Sequence, residues 1–290
     1  MTAAKKLELN GTTMLAHVDA ANYHADPCIA PSLTASIAWV LVNQSPLHAW
    51  SQHPRFGGSP SAPTVATERG DLMHALLLGR GKELEIIRAD DYKTVAAREA
   101  RDAARAAGRV PVLEERYADA ESACRIITGR LDELDVKLNP KKSEIGMLWL
   151  DRTSDGSDVQ CRALIDNFTS PTEYDVKTIG RATREAITAA ITDYGAHVQR
   201  AAYRRGLELN YPNIAKRLQQ RLLFVETSPP FDVVPVRLSA AFIELGETLW
   251  QRALDTWSAC VREEYWPGVL GEDDVMIADA PAWYVKRFAS

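Results

Sequence analysis

The sequence lacks any long apolar run. No segment of the 290 residues approaches the roughly 18 apolar residues that a membrane-spanning helix requires. The first residues, MTAAKKLELNGTTM, also lack the apolar core of a signal peptide. Both absences favour a cytoplasmic protein without a membrane partner. The composition, 46% hydrophobic and 25% charged, is that of a globular chain that can bury a core.

Cysteine is scarce, and its positions are far apart. Cys28, Cys124, Cys161 and Cys260 form no CxxC pair, so local spacing encodes neither a zinc knuckle nor an iron–sulfur cluster. An excess of positive charge is also missing, because the formal net charge is -5. The global charge balance therefore gives no argument for nucleic-acid binding, which would need a local basic surface.

The first half of the chain has helical periodicity. SLTASIAWVLVNQSPLHAWSQHP predicts a capped helix that ends at Pro54, and TERGDLMHALLLG predicts a second helix that carries His74. GGSPSAP, at 57–63, predicts an exposed loop between them. Two more helical patterns between residues 90 and 137 flank GRVPVL, whose glycine and proline interrupt the run. We therefore expect residues 1–137 to be mainly helical.

The pattern then changes to period two. SEIGMLWLD, VQCRALIDNF and EYDVKTI, separated by the turn sequences RTSDGSD and TSPT, predict a three-stranded meander. A long helix is expected over 181–208, with Ile187, Ile191, Tyr194 and Val198 on one apolar face.

The remaining sequence completes an α/β pattern. RLLFVET and FDVVPVRLS predict two further strands, and AFIELGETLWQRALDTWSACVREE predicts a final helix. This order predicts a single domain over 1–290, in which 138–265 holds the catalytic sheet with its helices and 266–290 forms a C-terminal tail.

The predicted meander carries charged residues. Asp175 and Lys177 lie two apart on its third strand, so their side chains project from one face, and the adjacent strand brings Asp166 near Asp175. Two close carboxylates repel each other unless a cation lies between them, and oxygen ligands suit Mg²⁺ or Mn²⁺. A lysine beside such a metal can stabilise the charge that develops on a phosphate. The same spacing is also typical of an exposed strand edge or a local salt bridge.

Other polar residues have two interpretations when they are taken alone. Glu144 adds an acid on the first strand or is a solvated strand end. Gln199 and Tyr203 share a helix face, where Tyr203 either supports a site or packs on the sheet. His74 by itself is typical of an ordinary core or surface histidine.

Two groups of basic residues are candidates for phosphate contacts. The first recurs at three- and four-residue spacing, which also suits a solvated helix face paired with Glu99 and Asp102; its members are Arg98, Arg101, Arg105 and Arg109. The second is the stronger candidate for binding DNA, because Glu208 is the one acid near it in sequence; its members are Arg200, Arg204, Arg205, Lys216, Arg217 and Arg221.

The order of these motifs resembles the exodeoxyribonuclease VIII (RecE-type) family of phage recombination nucleases, in the PD-(D/E)xK nuclease superfamily. The resemblance runs from about residue 20 to residue 288 and includes NYHADPCIAPSLTASIA, SPLHAW, RGDLMHALLL, SEIGMLW, CRALID, YDVKT, AHVQRAAY and PAWYVKRF. It implies a nuclease core with a central mixed sheet flanked by helices, preceded by a helical N-terminal portion.

The resemblance also implies roles for the matched residues. One or two Mg²⁺ ions, or Mn²⁺, would be held by His74, Asp166, Asp175 and the backbone carbonyl of Val176. Lys177 would be the catalytic lysine. Gln199 and Tyr203 would support the site and its contacts with DNA. Glu144 matches a family acid on the first strand, and its role stays open.

The implied activity is degradation of linear double-stranded DNA from 5′ to 3′, which leaves a 3′ single strand for a phage annealing protein. A homo-oligomeric ring, such as a tetramer, in a bacterial host would be the active form, without an iron–sulfur cluster. Two alternatives stay open. One is a catalytically idle module that binds DNA ends or a recombination partner. The other is a RecB-like nuclease or a CRISPR-associated nuclease of the same fold, which is disfavoured because the iron–sulfur-bearing relatives use clustered cysteines and this sequence has none.

Overall fold

The structure is a computed structural model that describes residues 13–15, 20–58, 64–271 and 275–288. Its helices are α1 (Ala20–His24), α2 (Ala35–Asn43), α3 (Pro46–Gln52), α4 (Val65–Leu78), α5 (Val95–Ala106), α6 (Glu114–Glu133), α7 (Arg184–Asp193), α8 (Ala196–Asn210), α9 (Ala240–Glu263) and α10 (Ala282–Phe288). Its strands are β1 (Thr13–Leu15), β2 (Leu84–Ile87), β3 (Val110–Leu113), β4 (Ser143–Arg152), β5 (Asp158–Thr169), β6 (Thr172–Ile179), β7 (Gln219–Glu226) and β8 (Val233–Val236). Most of the loop expected at 57–63, namely 59–63, lies outside the described residues. Within those ranges, no helix has the length and apolar character needed to span a membrane.

A six-stranded mixed sheet lies at the centre of the fold. Its strand order is β1-β4-β5-β6-β7-β8, and β6 and β7 are parallel whereas the other neighbours are antiparallel. The strands β4, β5 and β6 form the meander that the period-two pattern predicts. The α/β class with a mixed sheet flanked by helices is therefore confirmed.

Two buried clusters hold helices against opposite faces of this sheet. On one face, the side chains of Met147 and Trp149 from β4 pack with residues of α2, α8 and α9. On the other face, Val176 of β6 and Leu223 of β7 pack with α4 and α6. The helices α4 and α8 therefore approach the same strands from opposite sides, which places the polar residues of both helices near β5 and β6.

The segment GRVPVL contains a strand that the sequence does not predict. β3 pairs in parallel with β2, with Leu84 opposite Val110 and Ile87 opposite Leu113. All four residues of β3 are buried, and two of them belong to the α4–α6 core cluster. The interpretation of this segment as an interruption between helices is therefore wrong, because tertiary burial stabilises a strand that is too short to show a period.

The long helix expected over 181–208 is two helices. α7 ends at Asp193, and α8 begins after Gly195, whose φ of 64° is left-handed. Tyr194, which the periodicity assigns to the apolar face, is 77% exposed. The break is required by packing, since a Cβ atom on Gly195 would lie 2.4 Å from Cδ2 of Trp39. The turn has only two residues, and the apolar residues on either side of it keep helical spacing. The periodicity of the sequence therefore cannot reveal it.

Gly195→Ala is expected to lower the free energy of unfolding by about 2–4 kcal/mol, because it combines left-handed strain with overpacking against Trp39. Denaturant unfolding of the purified protein measures this change. The control is Gly129→Ala in the interior of α6, where a Cβ atom meets nothing within 4 Å. That variant should keep or raise stability by up to about 1 kcal/mol. Equal effects of the two variants would show that the break at Gly195 is not required.

His53 is a buried imidazole without charge. Its Nδ1 accepts a hydrogen bond from the backbone N–H of Arg55 at 3.3 Å, and its Nε2 lies 3.1 Å from the carbonyl oxygen of Ser32, so Nε2 carries the proton. The side chain is fully buried. Burial, together with the positive charge of Arg162, lowers the pKa of His53 from 6.5 to about 4.

This shift predicts a loss of stability in acid. Between pH 6.5 and 4 the unfolded chain binds a proton that the folded chain excludes, so the free energy of unfolding falls as pH decreases through this window. We expect His53 to contribute about 2–3 kcal/mol to that fall between pH 7 and pH 4.5. Denaturant unfolding at both pH values should show a smaller fall for His53→Gln than for the wild type. Identical pH dependence in the wild type and His53→Gln would contradict this expectation.

The first basic group is largely neutralised by acids. Arg105 binds Glu68 at 2.7 Å, Arg109 lies beyond the end of α5 and binds Glu85, and Arg101 binds Asp102 at 2.8 Å. The four arginines therefore do not form one free stripe for phosphates, and the alternative of a solvated face with acidic partners describes most of them.

Candidate metal centre and active site

The candidate site lies where β5 and β6 separate. The ladder between these strands has three residue pairs and ends at Asn167 opposite Tyr174. Beyond that point, the carboxylate of Asp166 accepts a hydrogen bond from the backbone N–H of Val176 at 2.7 Å. A side-chain oxygen thus replaces the backbone acceptor of the neighbouring strand. The opening leaves Asp166 beside the strand that carries Asp175 and Lys177, as the sequence predicts. Asp166 is not the last residue of its strand, because β5 continues for three residues past it.

The backbone at this opening is irregular. Ile165 and Phe168 pack in the same core cluster although they are three residues apart, so the alternation of β5 is interrupted between them. On β4, Glu144 has a φ of 52°, in the left-handed region. Such a conformation costs about 1–3 kcal/mol for a residue with a Cβ atom and occurs preferentially at functional sites. Here it accompanies the approach of Glu144 and Asp166 to His74.

His74, Glu144 and Asp166 form a cluster that can hold a metal ion. Nδ1 of His74 lies 3.4 Å from Oε1 of Glu144, and Nε2 lies 3.0 Å from Oδ2 of Asp166. One potential ligand atom from each residue lies within 4.8 Å of the other two. The three residues come from α4, β4 and β5, so the fold rather than local sequence assembles the cluster. Glu144, whose role the sequence leaves open, is part of it.

Asp175 and Lys177 form a second group on the α8 side of β6. Nζ of Lys177 lies 2.8 Å from Oδ2 of Asp175 and donates a hydrogen bond to Oε1 of Gln199 at 2.9 Å. Nε2 of Gln199 donates to Oδ1 of Asp175 at 2.9 Å. Gln199 thus binds both members of the pair and fixes the position of the lysine ammonium group. Asp175 does not belong to the cluster of His74, Glu144 and Asp166, whose ligand atoms lie within 4.8 Å of one another.

A buried ion pair behind this group was missed by the sequence reasoning. The guanidinium group of Arg200 binds both carboxylate oxygens of Glu173 and donates to Oδ1 of Asp175 at 2.9 Å. Its side chain is 4% exposed, and that of Glu173 is fully buried. The prediction that Arg200 contacts DNA is therefore corrected, because its charge is enclosed and already paired. One feature of the sequence could have indicated this ion pair. Glu173, Asp175 and Lys177 lie two apart on β6, so three charged side chains share one face of a strand and need partners there.

Tyr203 supports the neighbouring strand. Its hydroxyl group donates a hydrogen bond to the carbonyl oxygen of Leu164 at 2.9 Å, two residues before Asp166 on β5. The guanidinium carbon of Arg200 lies 4.8 Å from the centre of its ring. Of the two alternatives for Tyr203, packing on the sheet is what its burial and its hydrogen bond to β5 show, and its support of a site stays a prediction.

The electrostatics of the cluster reflect crowded carboxylates. Burial alone lowers the pKa of His74, but Asp166, Glu144 and Asp175 outweigh it and raise that pKa to about 9. Burial raises the pKa of Glu144 to about 7, against the opposing charge of His74. Asp166 keeps a lowered pKa, since His74, Lys177 and the Val176 N–H together exceed the effect of burial. The protonated imidazole is therefore the cation that balances these acids.

The donor set fits a hard divalent cation. Two carboxylate oxygens and one imidazole nitrogen suit Mg²⁺ or Mn²⁺, with the nitrogen favouring Mn²⁺ more strongly. His74 must lose its added proton before it can bind a metal. Oδ2 of Asp175 is a further candidate ligand, because it is buried and has no hydrogen-bond partner in the described part of the chain; Lys177 approaches it outside hydrogen-bond geometry. The four cysteines are buried and unpaired, on separate elements or loops.

Two other predicted DNA contacts have acidic partners. Nε of Arg205 lies 3.0 Å from Oδ1 of the buried Asp151, and Nε of Arg204 lies 2.8 Å from Oε1 of Glu208. Arg205 is thus held against β4, away from the remaining basic residues. Among the described residues, Lys216, Arg217 and Arg221 have no carboxylate within 4.0 Å and keep their charge available.

The fold matches a solved structure. No protein-family model and no curated protein matches this chain. A crystal structure described as a putative exonuclease from Eubacterium rectale is similar, with a TM-score of 0.58 and 8% sequence identity over 94% of this chain and 98% of that one. The two chains share a fold. At this identity the likeness concerns the architecture alone, and the activity has to be argued from the site.

Proposed function

We propose that this protein is a metal-dependent exodeoxyribonuclease that hydrolyses the phosphodiester bonds of linear double-stranded DNA. The observation that carries the proposal is the cluster of His74, Glu144 and Asp166 next to the Asp175–Lys177 pair, at the point where two strands separate. A shared fold with a protein described as a putative exonuclease supports it. Negative ligands, an adjacent fixed ammonium group and an opening between strands suit a phosphate substrate.

The residues around Lys177 prepare it to act on a phosphate. Its ammonium group donates a hydrogen bond to Gln199 and is attracted by the carboxylate of Asp175, so Nζ is held in place before the substrate arrives. Asp175 is itself held by Arg200, which donates a hydrogen bond to Oδ1 of this buried carboxylate at 2.9 Å. Lys177 can then donate hydrogen bonds to the non-bridging oxygens of the scissile phosphate as negative charge increases there.

The ligands of the metal would be His74, Glu144, Asp166 and Asp175, with the backbone carbonyl of Val176 as the remaining candidate. A bound Mg²⁺ or Mn²⁺ supplies Lewis-acid polarisation of the phosphate and a more acidic water molecule. The hydrogen bond from the Val176 N–H to Asp166 keeps one oxygen of that carboxylate in place. Tyr203 holds the β5 backbone two residues away and so limits movement of Asp166.

The resemblance to RecE-type nucleases supports a more specific proposal. The substrate would be a duplex end, degraded from 5′ to 3′, and the product a 3′ single strand for a phage-type annealing protein. The assembly would be a homo-oligomeric ring, such as a tetramer, in the bacterial cytoplasm. These features rest on the motifs NYHADPCIAPSLTASIA, YDVKT and AHVQRAAY and on the shared fold.

Linear and closed circular duplex DNA test the proposal together. Linear substrates labelled at the 5′ or at the 3′ end are incubated with the purified protein and Mg²⁺, with EDTA as the metal-free control. We expect early release of the 5′ label, slow release of the 3′ label and no cleavage of closed circles. Cleavage of closed circles would indicate an endonuclease, and early release of the 3′ label would reverse the polarity. Binding of DNA ends without any cleavage would replace the nuclease by an idle end-binding module.

A further inference from the structure

A basic groove lies on the α8 side of the sheet, beyond the candidate site. Its volume is about 740 Å³, and it is bordered by the start of β7, the chain after β8 and the first turns of α9. Its basic lining residues are Arg200, Arg204, Lys216, Arg217, Arg221 and Arg237. No aspartate or glutamate lines it. Arg200 and Arg204 are paired with acids outside the lining, which leaves four basic residues of the groove without a carboxylate within 4.0 Å among the described residues. In a chain with a net charge of -5, this local concentration of unpaired cations needs an explanation.

Two arginines of this groove lie at the same end of the β7–β8 ladder. Arg221 precedes Leu222 and Arg237 follows Val236, and Leu222 and Val236 are the last residue pair of that ladder. Like charges that lie close together repel each other. Burial and the charge of Arg237 also lower the pKa of the Arg221 guanidinium group. Among the described residues, neither arginine has a carboxylate within 4.0 Å, so the protein itself does not relieve the repulsion.

The groove is adjacent to the site through one residue. Arg200 forms part of its lining and also donates to Asp175 on β6. Arg204 follows four residues later on α8, which corresponds to about 6 Å along the helix axis. The groove is therefore bordered by the turn of α8 that follows the Arg200–Asp175 contact.

We propose that this groove binds the phosphodiester backbone of a single DNA strand, at phosphates next to the one that is cleaved. The inference rests on the proposed nuclease function and assigns Arg221 and Arg237, with Lys216 and Arg217, to strand binding. Guanidinium groups suit phosphate oxygens, and an anion between the two arginines removes their repulsion. A groove of about 740 Å³ is too small to enclose a duplex, so one strand can enter it whereas a duplex could only lie across it.

Strand binding is measured without cleavage, by fluorescence anisotropy of a labelled single-stranded oligonucleotide in EDTA. The variants are Arg221→Gln, Arg237→Gln and the double change Lys216→Gln with Arg217→Gln. For each neutralised side chain we expect about a tenfold loss of affinity at low salt. The slope of log affinity against log salt concentration should fall by about 0.7 for each lost phosphate contact. Arg98→Gln is the matched control, because Arg98 is exposed on α5 and has no carboxylate within 4.0 Å among the described residues.

Thermal unfolding separates ligand binding from a structural role. If the repulsion between the two arginines is retained for a ligand, Arg221→Gln and Arg237→Gln should each raise the Tm by about 1–3 °C while they weaken strand binding. A residue that served stability alone would move both quantities in the same direction. Unchanged affinity and an unchanged salt slope in all three groove variants would overturn the proposal.

Competition identifies the source of the phosphate. We expect unlabelled single-stranded DNA to displace the probe, and inorganic pyrophosphate or a deoxynucleoside monophosphate at equal phosphate concentration to displace it weakly. Equal competition by the small anions would overturn a strand site. Asp166→Asn should lose cleavage and keep strand affinity, so failure of the nuclease proposal is seen in the cleavage assay and failure of the groove proposal in the binding assay.

Discussion

Lys177→Ala is expected to lower the rate of Mg²⁺-dependent nucleotide release from linear duplex DNA by about 10²–10⁴-fold. The ammonium group of Lys177 is the cation next to Asp175 that is free to reach a phosphate, since Arg200 is enclosed by two carboxylates. The rate is measured from initial velocities at saturating DNA, so that loss of substrate binding does not account for the change.

The control for this change is Lys93→Ala. Lys93 is 88% exposed and pairs with Asp91 on the surface, away from the candidate site, so its removal should leave the rate within a factor of about two. Circular dichroism and Tm must show that Lys177→Ala is folded. A folded Lys177→Ala protein with the wild-type rate would remove Lys177 from the mechanism and leave the metal cluster as the remaining candidate centre.

Arg200→Leu is expected to lower the free energy of unfolding by about 3–5 kcal/mol, because it leaves the carboxylate of Glu173 buried without its charged partner and removes one of the partners of Asp175. Burial already raises the pKa of Glu173 to about 7 despite the opposing charge of Arg200. Urea unfolding at neutral pH measures the loss. The hydrogen bonds of Arg200 to both acids make this the largest stability effect that we expect from one side chain of the site.

Arg204→Leu is the matched control on the next turn of α8. Arg204 pairs with Glu208 at four-residue spacing near the surface, and such a pair contributes about 0.3–0.5 kcal/mol. The double change Arg200→Leu with Glu173→Leu should recover part of the lost stability, since an apolar pair can replace a buried ion pair. A loss below about 1 kcal/mol for Arg200→Leu would show that water reaches this pair and that Asp175 is not fixed by it.

The local pattern of the sequence predicts the meander and the shared face of Asp175 and Lys177. These features depend on period two and on turn residues between neighbouring strands, which are local properties. The same pattern predicts that Asp166 lies near Asp175, because consecutive strands of a meander are adjacent. The resemblance to a nuclease family supplies His74, which no spacing connects to the strands.

Features that depend on tertiary packing could not be predicted. The position of Glu144 follows from a left-handed backbone and an interrupted strand, and neither has a period in the sequence. The burial of Arg200 depends on Glu173, which is 27 residues away in sequence. In the sequence alone the arginine therefore resembles a surface cation, and its partner is apparent only from the packing of α8 on the sheet. The turn at Gly195 and the strand β3 are fixed by contacts with distant residues for the same reason.

The most direct test of the proposed metal-dependent nuclease is the initial rate of nucleotide release from linear duplex DNA as Mg²⁺ is titrated, for the wild type and for Asp166→Asn. Asp166 is at the centre of the site, since it contacts His74 and the Val176 N–H. We predict that the wild-type rate rises with Mg²⁺ to saturation, is abolished by EDTA and falls by at least about 10²-fold in a folded Asp166→Asn protein. A wild-type rate that is independent of Mg²⁺, or an Asp166→Asn rate equal to that of the wild type, would contradict the proposed metal centre.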